Sequence, residues 1–286
     1  YVPIYCEHLR CGKVNTDAEP VVLSQDGSVI AADADPGFAH PAIDIGFDKL
    51  GPLAKAMGCA VLTVCNSYNC GVLGYHVERL SADGLVAIGF TNAPASIAPA
   101  GGRRPVVGTN PVALAVPGVS GQAAFVLDQS ASVVARSEIM TRVREGRSIP
   151  EGWALDAEGQ TTTDPAQALK GSMAPSGGYK GFGIGLLVEV MAAALSGATL
   201  GIDARPFSGT EGGPPRTGQC FLALSPDAFS KGTFNDRIHA LTRAIDDQDN
   251  ARLPGSRRLE NRRRSESDGV AVDQSLVDRI HSITAG

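Results

Sequence analysis

An α/β fold follows from three features of the sequence. Short apolar runs rich in β-branched residues, Ala60–Cys65 and Leu85–Thr91, alternate with segments whose apolar residues recur every three or four positions. The first run, the helical segment after it and the second run together have the size of a βαβ unit, about thirty residues. Glycines (34) and prolines (18) are plentiful but follow no collagen-like period, so tight turns join many short elements. A length of 286 residues suits one large domain or two of ordinary size. With 43% hydrophobic and 19% charged residues, the disordered and fibrous classes are excluded.

The elements are predicted in order. The first forty residues are polar and turn-rich, with a strand or hairpin over Pro20–Ile30. A helix begins at Ala42, carried by Phe47, Leu50, Leu53, Ala54 and Met57, and stops at Gly58. Ala60–Cys65 is a buried strand. Val72–Ala82 is a helix with Leu73, Val77 and Leu80 on one side, closing at Gly84, and Leu85–Thr91 is the next strand. Val112–Val116 and Ala123–Leu127 are two more strands, Ser132–Glu145 is a helix, and Cys220–Leu224 is a further short element. The glycine-rich stretch Ser176–Gly181 opens a long helix, Phe182–Leu195. Its only charge is Glu189, which predicts burial nearly all round. From Phe234 the chain reads as amphipathic helices separated by Leu253-Pro254-Gly255.

Charge and cysteine usage narrow the function. Twenty-five basic against 30 acidic residues give a net charge of −5, which argues against nucleic acid as the main partner. No apolar run approaches the roughly 18 residues of a membrane-spanning helix. The six cysteines form no C-x-x-C pair and share no zinc-ligand spacing with the five scattered histidines. Reduced thiols in the cytoplasm are expected, with no metal. The G-x-G-x-x-G dinucleotide fingerprint, the P-loop and the G-x-S-x-G elbow are all absent.

Four features are able to carry chemistry. Asn66–Gly71 is a polar turn between a buried strand and a helix, placed to offer backbone N–H groups to an anion; it is equally an ordinary turn capping the helix. Gly101-Gly102 and Gly108-Thr109-Asn110-Pro111 admit close backbone approach to a ligand, or a plain hairpin. Asp128-Gln129-Ser130 at a strand end suits ribose hydroxyls or a catalytic partner, or the N-cap of the helix Ser132–Glu145. Gly178-Tyr179-Lys180-Gly181 sets a cation at the positive end of an apolar helix, which fits phosphate, although the lysine is also able to reach solvent. Among Arg257, Arg258, Arg262, Arg263 and Arg264, the first two sit on the Pro-Gly turn and suit phosphate. The others read as a solvated face paired with Glu260 and Glu266.

Taken together, these segments resemble the type-2 malate/L-lactate dehydrogenase family over essentially the whole chain and in order, with Pro150–Asp156, Thr162–Pro165 and Leu253–Gly255 adding to the match. Gly212–Pro215 and Met191–Leu195 look most similar to the branch reducing Δ1-pyrroline-2-carboxylate and Δ1-piperideine-2-carboxylate. The resemblance implies a nicotinamide-binding α/β fold unrelated to the Rossmann type, with helical parts from both termini. It implies a homodimer using NAD or NADP, and hydride transfer to or from a small 2-oxo, 2-hydroxy or cyclic 2-imino acid. Residues 1–65 would belong to a structural and dimerisation domain lacking its first helices, 66–233 to the cofactor domain, and 234–286 to helices returning to the first domain.

Carried over by position, Asn69, Cys70, Gly71, Asp128, Gln129, Ser130, Tyr179, Lys180, Arg257 and Arg258 would contact the cofactor. Asn92 and Thr109 would lie near substrate, and Asn69 and Asp128 would take catalytic positions, Asp128 within a proton relay. Two departures stand out. Many relatives carry His at the position of Asn69, and a carboxamide exchanges no proton at neutral pH. The family's Ser-His-Gly-x-x-Arg motif, a source of acid and substrate arginine, is not found; it is expected upstream of Tyr1, which makes the chain a shortened enzyme with cofactor binding and little turnover. The competing readings are a malate or lactate dehydrogenase proper, a non-catalytic nucleotide-binding or assembly protein, and a nucleic-acid binder using Arg257–Arg264.

Overall fold

Short strands and helices alternate along the chain and build a mixed sheet. The computed structural model describes residues 2–118 and 121–284. Helix α1 (Val2–Arg10) leads into the hairpin β1 (Val21–Asp26) and β2 (Val29–Asp33), then α2 (Ala39–Met57) and β3 (Cys59–Ser67). Next come α3 (Leu73–Ala82), β4 (Val86–Thr91), β5 (Val112–Pro117), β6 (Ala123–Gln129) and α4 (Arg136–Glu145). A small hairpin of β7 (Ala154–Leu155) and β8 (Ser172–Met173) encloses α5 (Pro165–Lys170). Helix α6 (Tyr179–Glu189) continues as a π-helical turn, Val190–Ala194. The chain ends through β9 (Thr217–Leu224), α7 (Pro226–Ser230), α8 (Phe234–Asp246), α9 (Ser256–Asp268) and α10 (Gln274–Thr284).

The main sheet has seven strands in the order β1-β2-β3-β9-β4-β5-β6. Only β2 and β3 pair in parallel, and α2 is their crossover. The expected strand–helix–strand unit of β3, α3 and β4 exists, but its strands do not touch. β9, arriving from 126 positions beyond β4's end, wedges antiparallel between them, with Cys220 opposite both Thr63 and Phe90. No local pattern announces such an insertion.

One face of the sheet is covered by α2 and α3. Ile43, Phe47 and Leu50 from α2 and Leu73, Val77 and Leu80 from α3 close over Leu62, Val64, Ala113 and Phe221. Gly46 lets α2 approach the sheet, since a side chain there would run into Leu62. The other face takes Val188 and Ala192 of the α6 region against Phe90 and Cys220. A third cluster, built on Ile97, Val107, Ile139, Ala154 and Met173, supports the segment between β4 and α6.

Two expectations are corrected. Val2–Arg10 is helical rather than turn-rich, because tertiary packing holds it: Tyr5 and His8 stack edge-on against Tyr68, and His8 is buried. And the α6 region is not buried all round. Gly181, Gly185, Val188 and Glu189 face inward, whereas Ile184, Leu186, Leu187, Val190 and Leu195 are exposed. An all-apolar helix buries whatever faces its own chain, and the composition of the far side does not say what covers it.

Candidate functional site

The ends of β2, β3, β4 and β6 and the starts of β5 and β9 fall on one edge of the sheet, as their registers require. Most sequence-selected residues lie along that edge. Ser67 closes β3 and donates to the carbonyl of Thr217 at 3.0 Å. Gln219 donates to Ser67 (2.8 Å) and to Thr91 (3.1 Å), and the Thr217 hydroxyl donates to the Tyr68 carbonyl (2.9 Å). This buried polar ladder pins the turn after β3 to the two neighbouring strands. Its only early sign was a glutamine inside an apolar run.

In the turn itself, the Asn69 side chain accepts the Gly71 N–H at 3.0 Å, a local bond of the Asx type. The Cys70 thiol points into the core, where burial pushes its pKa up to about 12, so that only the backbone of Cys70 faces the edge. Gly71 has φ +64, in the left-handed region, and a Cβ there would meet the His40 ring at 3.4 Å.

The turn leads into α3, and there three separated segments meet. The backbone N–H of Gly74 donates to the Asp128 carboxylate at 2.7 Å. A Cβ on Gly74 would lie 2.8 Å from both Arg258 Nη1 and Asp128 Oδ2. Asp128 therefore does not cap the helix that follows it in sequence; it caps α3, while α4 begins only at Arg136. Burial raises the Asp128 pKa, an effect held back by the Gly74 bond and by Arg258. Arg258 reaches this point because Gly255 (φ +84) opens α9 flush against β6, where Val126 donates its N–H to the Pro254 carbonyl.

Arg258 is incompletely partnered. Its Nε and Nη2 are buried without a hydrogen bond, and Nη2 stands 3.8 Å from Glu78. Glu78 gives its short bonds to Arg262 instead, at 2.9 and 3.0 Å. Arg264 pairs with Glu260 on its own helix, and Arg257 is exposed. Two buried guanidinium donors at the positive end of α3 suit the oxygens of a phosphate or sugar.

Farther along the edge, Ser130 bonds to the Ser132 carbonyl and hydroxyl at 3.2 and 3.0 Å, and Gln129 is exposed. The Thr109 carbonyl accepts the Ala131 N–H (2.7 Å), and the Ala131 carbonyl accepts the Ser176 N–H (2.8 Å). These bonds bring Thr109, Ser130 and the entry to α6 side by side. Tyr179 and Lys180 sit there in solvent, Tyr179 with 70% of its surface exposed.

Behind the edge lies a buried carboxylate. Glu189 accepts from Asn110 (2.7 Å), the Gly201 N–H (2.6 Å) and Asn92 (3.4 Å) just where α6 changes to π geometry. Asn92 also donates to the Thr199 carbonyl (3.0 Å) and accepts the Gly218 N–H (2.8 Å), so its carboxamide is fully engaged in bracing loops. The Glu189 network and Gly74 escaped sequence reading. Each owes its position to partners dozens of residues away.

Among the described residues, no group of three or more His, Cys, Asp or Glu side chains could hold a metal, and no helix is long and apolar enough to cross a membrane. All six cysteines are free.

Comparison with known proteins adds independent findings. The profile of a family described as malate/L-lactate dehydrogenase matches residues 1–281. The chain is 43% identical over 281 residues to (2R)-3-sulfolactate dehydrogenase (NADP(+)) of Chromohalobacter salexigens, covering 98% of this chain and 83% of that protein. It is 36% identical to Delta(1)-pyrroline-2-carboxylate reductase of Ancylobacter novellus, covering 98% and 82%. Among solved structures, delta1-piperideine-2-carboxylate reductase from Pseudomonas syringae superposes with a TM-score of 0.92 at 32% identity, covering 99% of this chain and 85% of that one.

Proposed function

Because the chain belongs to the malate/L-lactate dehydrogenase family, we propose that the sheet edge around Gly74, Asp128 and Arg258 seats a nicotinamide dinucleotide and opens onto a small acid. The chain is an NAD(P)-dependent oxidoreductase that moves a hydride between this cofactor and a small 2-oxo or 2-hydroxy acid, or a cyclic 2-imino acid. The bound nicotinamide supplies or accepts the hydride. The protein's part is to hold both partners in register and to exclude water.

The observation that carries the residue assignment is the pair of buried, unbonded guanidinium nitrogens of Arg258 beside the first turn of α3. With the N-terminal N–H groups of α3, that pair fits the anionic part of a dinucleotide. Arg257 lies next to it in the first turn of α9. Asp128, held by Gly74, offers carboxylate oxygens to sugar hydroxyls. Cys70 and Gly71 contribute backbone, Asn69 its carboxamide, and Gln129, Ser130, Tyr179 and Lys180 continue the groove toward α6. Thr109 faces the acid, and Asn92 shapes that end by fixing the loops around Glu189.

The exposed apolar side of the α6 region supports a second copy of the chain as its cover, giving a homodimer. The six free thiols agree with a reducing compartment such as the cytoplasm.

The test is a fluorescence titration of the chain and of Arg258→Ala with NADPH and NADH. A substrate panel of Δ1-pyrroline-2-carboxylate, 3-sulfolactate, malate and lactate follows. We expect the variant to lose roughly tenfold or more in affinity, about 1.4 kcal/mol, while keeping its fold. Equal affinity for variant and parent would remove Arg258 from the site.

A further inference from the structure

Helices α3 and α9 meet at two levels, one helical turn apart on each helix. At the first, Gly74 faces Arg258, whose Nη1 a Cβ on Gly74 would meet at 2.8 Å. At the second, Glu78 accepts a two-pronged pair from Arg262, Nη1 to Oε1 at 2.9 Å and Nη2 to Oε2 at 3.0 Å. Arg262 therefore spends its donors on another helix, while Glu266 on its own helix acts on it through charge alone.

Glu78 stands within reach of both arginines. Its side chain is only 16% exposed, so its charge needs a guanidinium beside it. Arg258 Nη2 lies 3.8 Å from Glu78 Oε2, about 1 Å too far for a hydrogen bond. Both carboxylate oxygens are already taken by Arg262, and Nε and Nη2 of Arg258 stay buried and unbonded. Asp128, the other carboxylate acting on Arg258, accepts the Gly74 N–H at 2.7 Å. Donors left in this condition gain most when an anion arrives.

The seat of α9 does not depend on the Glu78–Arg262 pair. Gly255 (φ +84) and the bond from the Val126 N–H to the Pro254 carbonyl fix the start of α9 against β6. Arg262 is itself 44% exposed, and an ion pair with one partner in solvent adds little to stability. What the pair decides is which arginine neutralises Glu78.

We propose that Arg262 is a positioning residue for the dinucleotide: by occupying Glu78 it leaves the Arg258 guanidinium open to an anionic oxygen of the cofactor. This rests on the function proposed above. Without Arg262, Glu78 draws Arg258 across the short remaining gap and closes its free donors. The same carboxylate, no longer neutralised, then also repels the arriving anion. Removing Glu78 together with Arg262 takes away the competitor and reopens Arg258.

The experiment titrates NADPH, followed by fluorescence, into the full chain and into Arg262→Met, Glu78→Gln and the double variant, with circular dichroism as the check on folding. We expect Arg262→Met to bind roughly tenfold more weakly, although Arg262 is not assigned to the cofactor. Glu78→Gln should bind at least as tightly as the parent, and the double variant should return to within roughly threefold of it. A pair that merely braced the two helices would give a loss in either single variant and no recovery in the double one. Full affinity in Arg262→Met, a double variant as weak as Arg262→Met, or a roughly tenfold loss in Glu78→Gln overturns the proposal; the last holds even where Arg262→Met fails to fold. A parent chain that binds neither NADPH nor NADH, or an Arg258→Ala variant that binds as tightly as the parent, overturns the function beneath it instead.

Discussion

The carboxylate of Asp128 accepts the backbone N–H of Gly74 at 2.7 Å, so the end of β6 caps the first turn of a helix 54 positions earlier in the chain. At Gly74 that carboxylate, the positive end of α3 and the Arg258 guanidinium converge: a Cβ there would lie 2.8 Å from both Asp128 Oδ2 and Arg258 Nη1.

Gly74→Ala separates helix propensity from site geometry. In a helix interior this change alone favours folding by up to about 1 kcal/mol. Here the added methyl would lie 2.8 Å from both Arg258 Nη1 and Asp128 Oδ2, and both side chains must move. Dinucleotide affinity should fall roughly tenfold, about 1.4 kcal/mol, with little change in Tm. Unchanged affinity in a titration would show that the cluster does not face the ligand.

Glu189→Gln tests the buried carboxylate. Glu189 accepts from two carboxamides and one backbone N–H, so a glutamine NH2 must meet a donor wherever it turns. We expect a loss of roughly 2–3 kcal/mol in urea unfolding, with dinucleotide binding weakened only in step with stability. A variant as stable as the parent would mean that the network rearranges freely.

His76 predicts acid sensitivity. Burial takes its pKa from the ordinary 6.5 down to about 4, with the Cys70 hydrogen bond opposing the drop. A depressed folded-state pKa means that the stabilisation is fully present above pH 6.5 and is lost as the pH falls through 4, because the unfolded chain takes up the proton first. A shift of this size corresponds to roughly 3 kcal/mol. Urea midpoints measured between these limits should fall steeply for the parent and more gently for His76→Asn; parallel curves would contradict the burial argument.

Leu187→Glu probes the exposed side of the α6 region. Leu187 is 48% exposed among Ile184, Leu186 and Val190, and a carboxylate there costs little in an isolated chain. Buried between two copies, it would carry an unpaired charge. Sedimentation should show the parent as a dimer and the variant as a monomer with an unaltered circular dichroism spectrum. A variant still dimeric would place the interface elsewhere.

Most strands of the main sheet and the helices α2 and α3 were legible in the sequence, because strand and helix periodicities are local. The run Ala60–Cys65, the helix through Leu73, Val77 and Leu80, and the stop at Gly58 stand within a residue or two of their expected places. Helix α1 was not legible, since its nine residues depend on Tyr5 and His8 finding Tyr68. The candidate site was legible in part. The turn Asn66–Gly71, Asp128–Ser130 and Arg257-Arg258 could be selected as polar groups at strand and helix ends. Gly74, Glu189 and Gln219 carry no such mark, because their roles come from contacts made across the fold.

The sequence by itself determined the α/β class, the order of the main strands and helices from α2 to β6, and the family, since each is written in periodicity or in the succession of motifs. Tertiary structure alone decided which strands are neighbours, which helix Asp128 caps, and which side of the α6 region stays uncovered. The physical reason is range. A propensity or a cap is settled within a few residues, whereas β9 entering between β3 and β4, and Arg258 arriving at Gly74, depend on the whole chain burying its apolar surface at once.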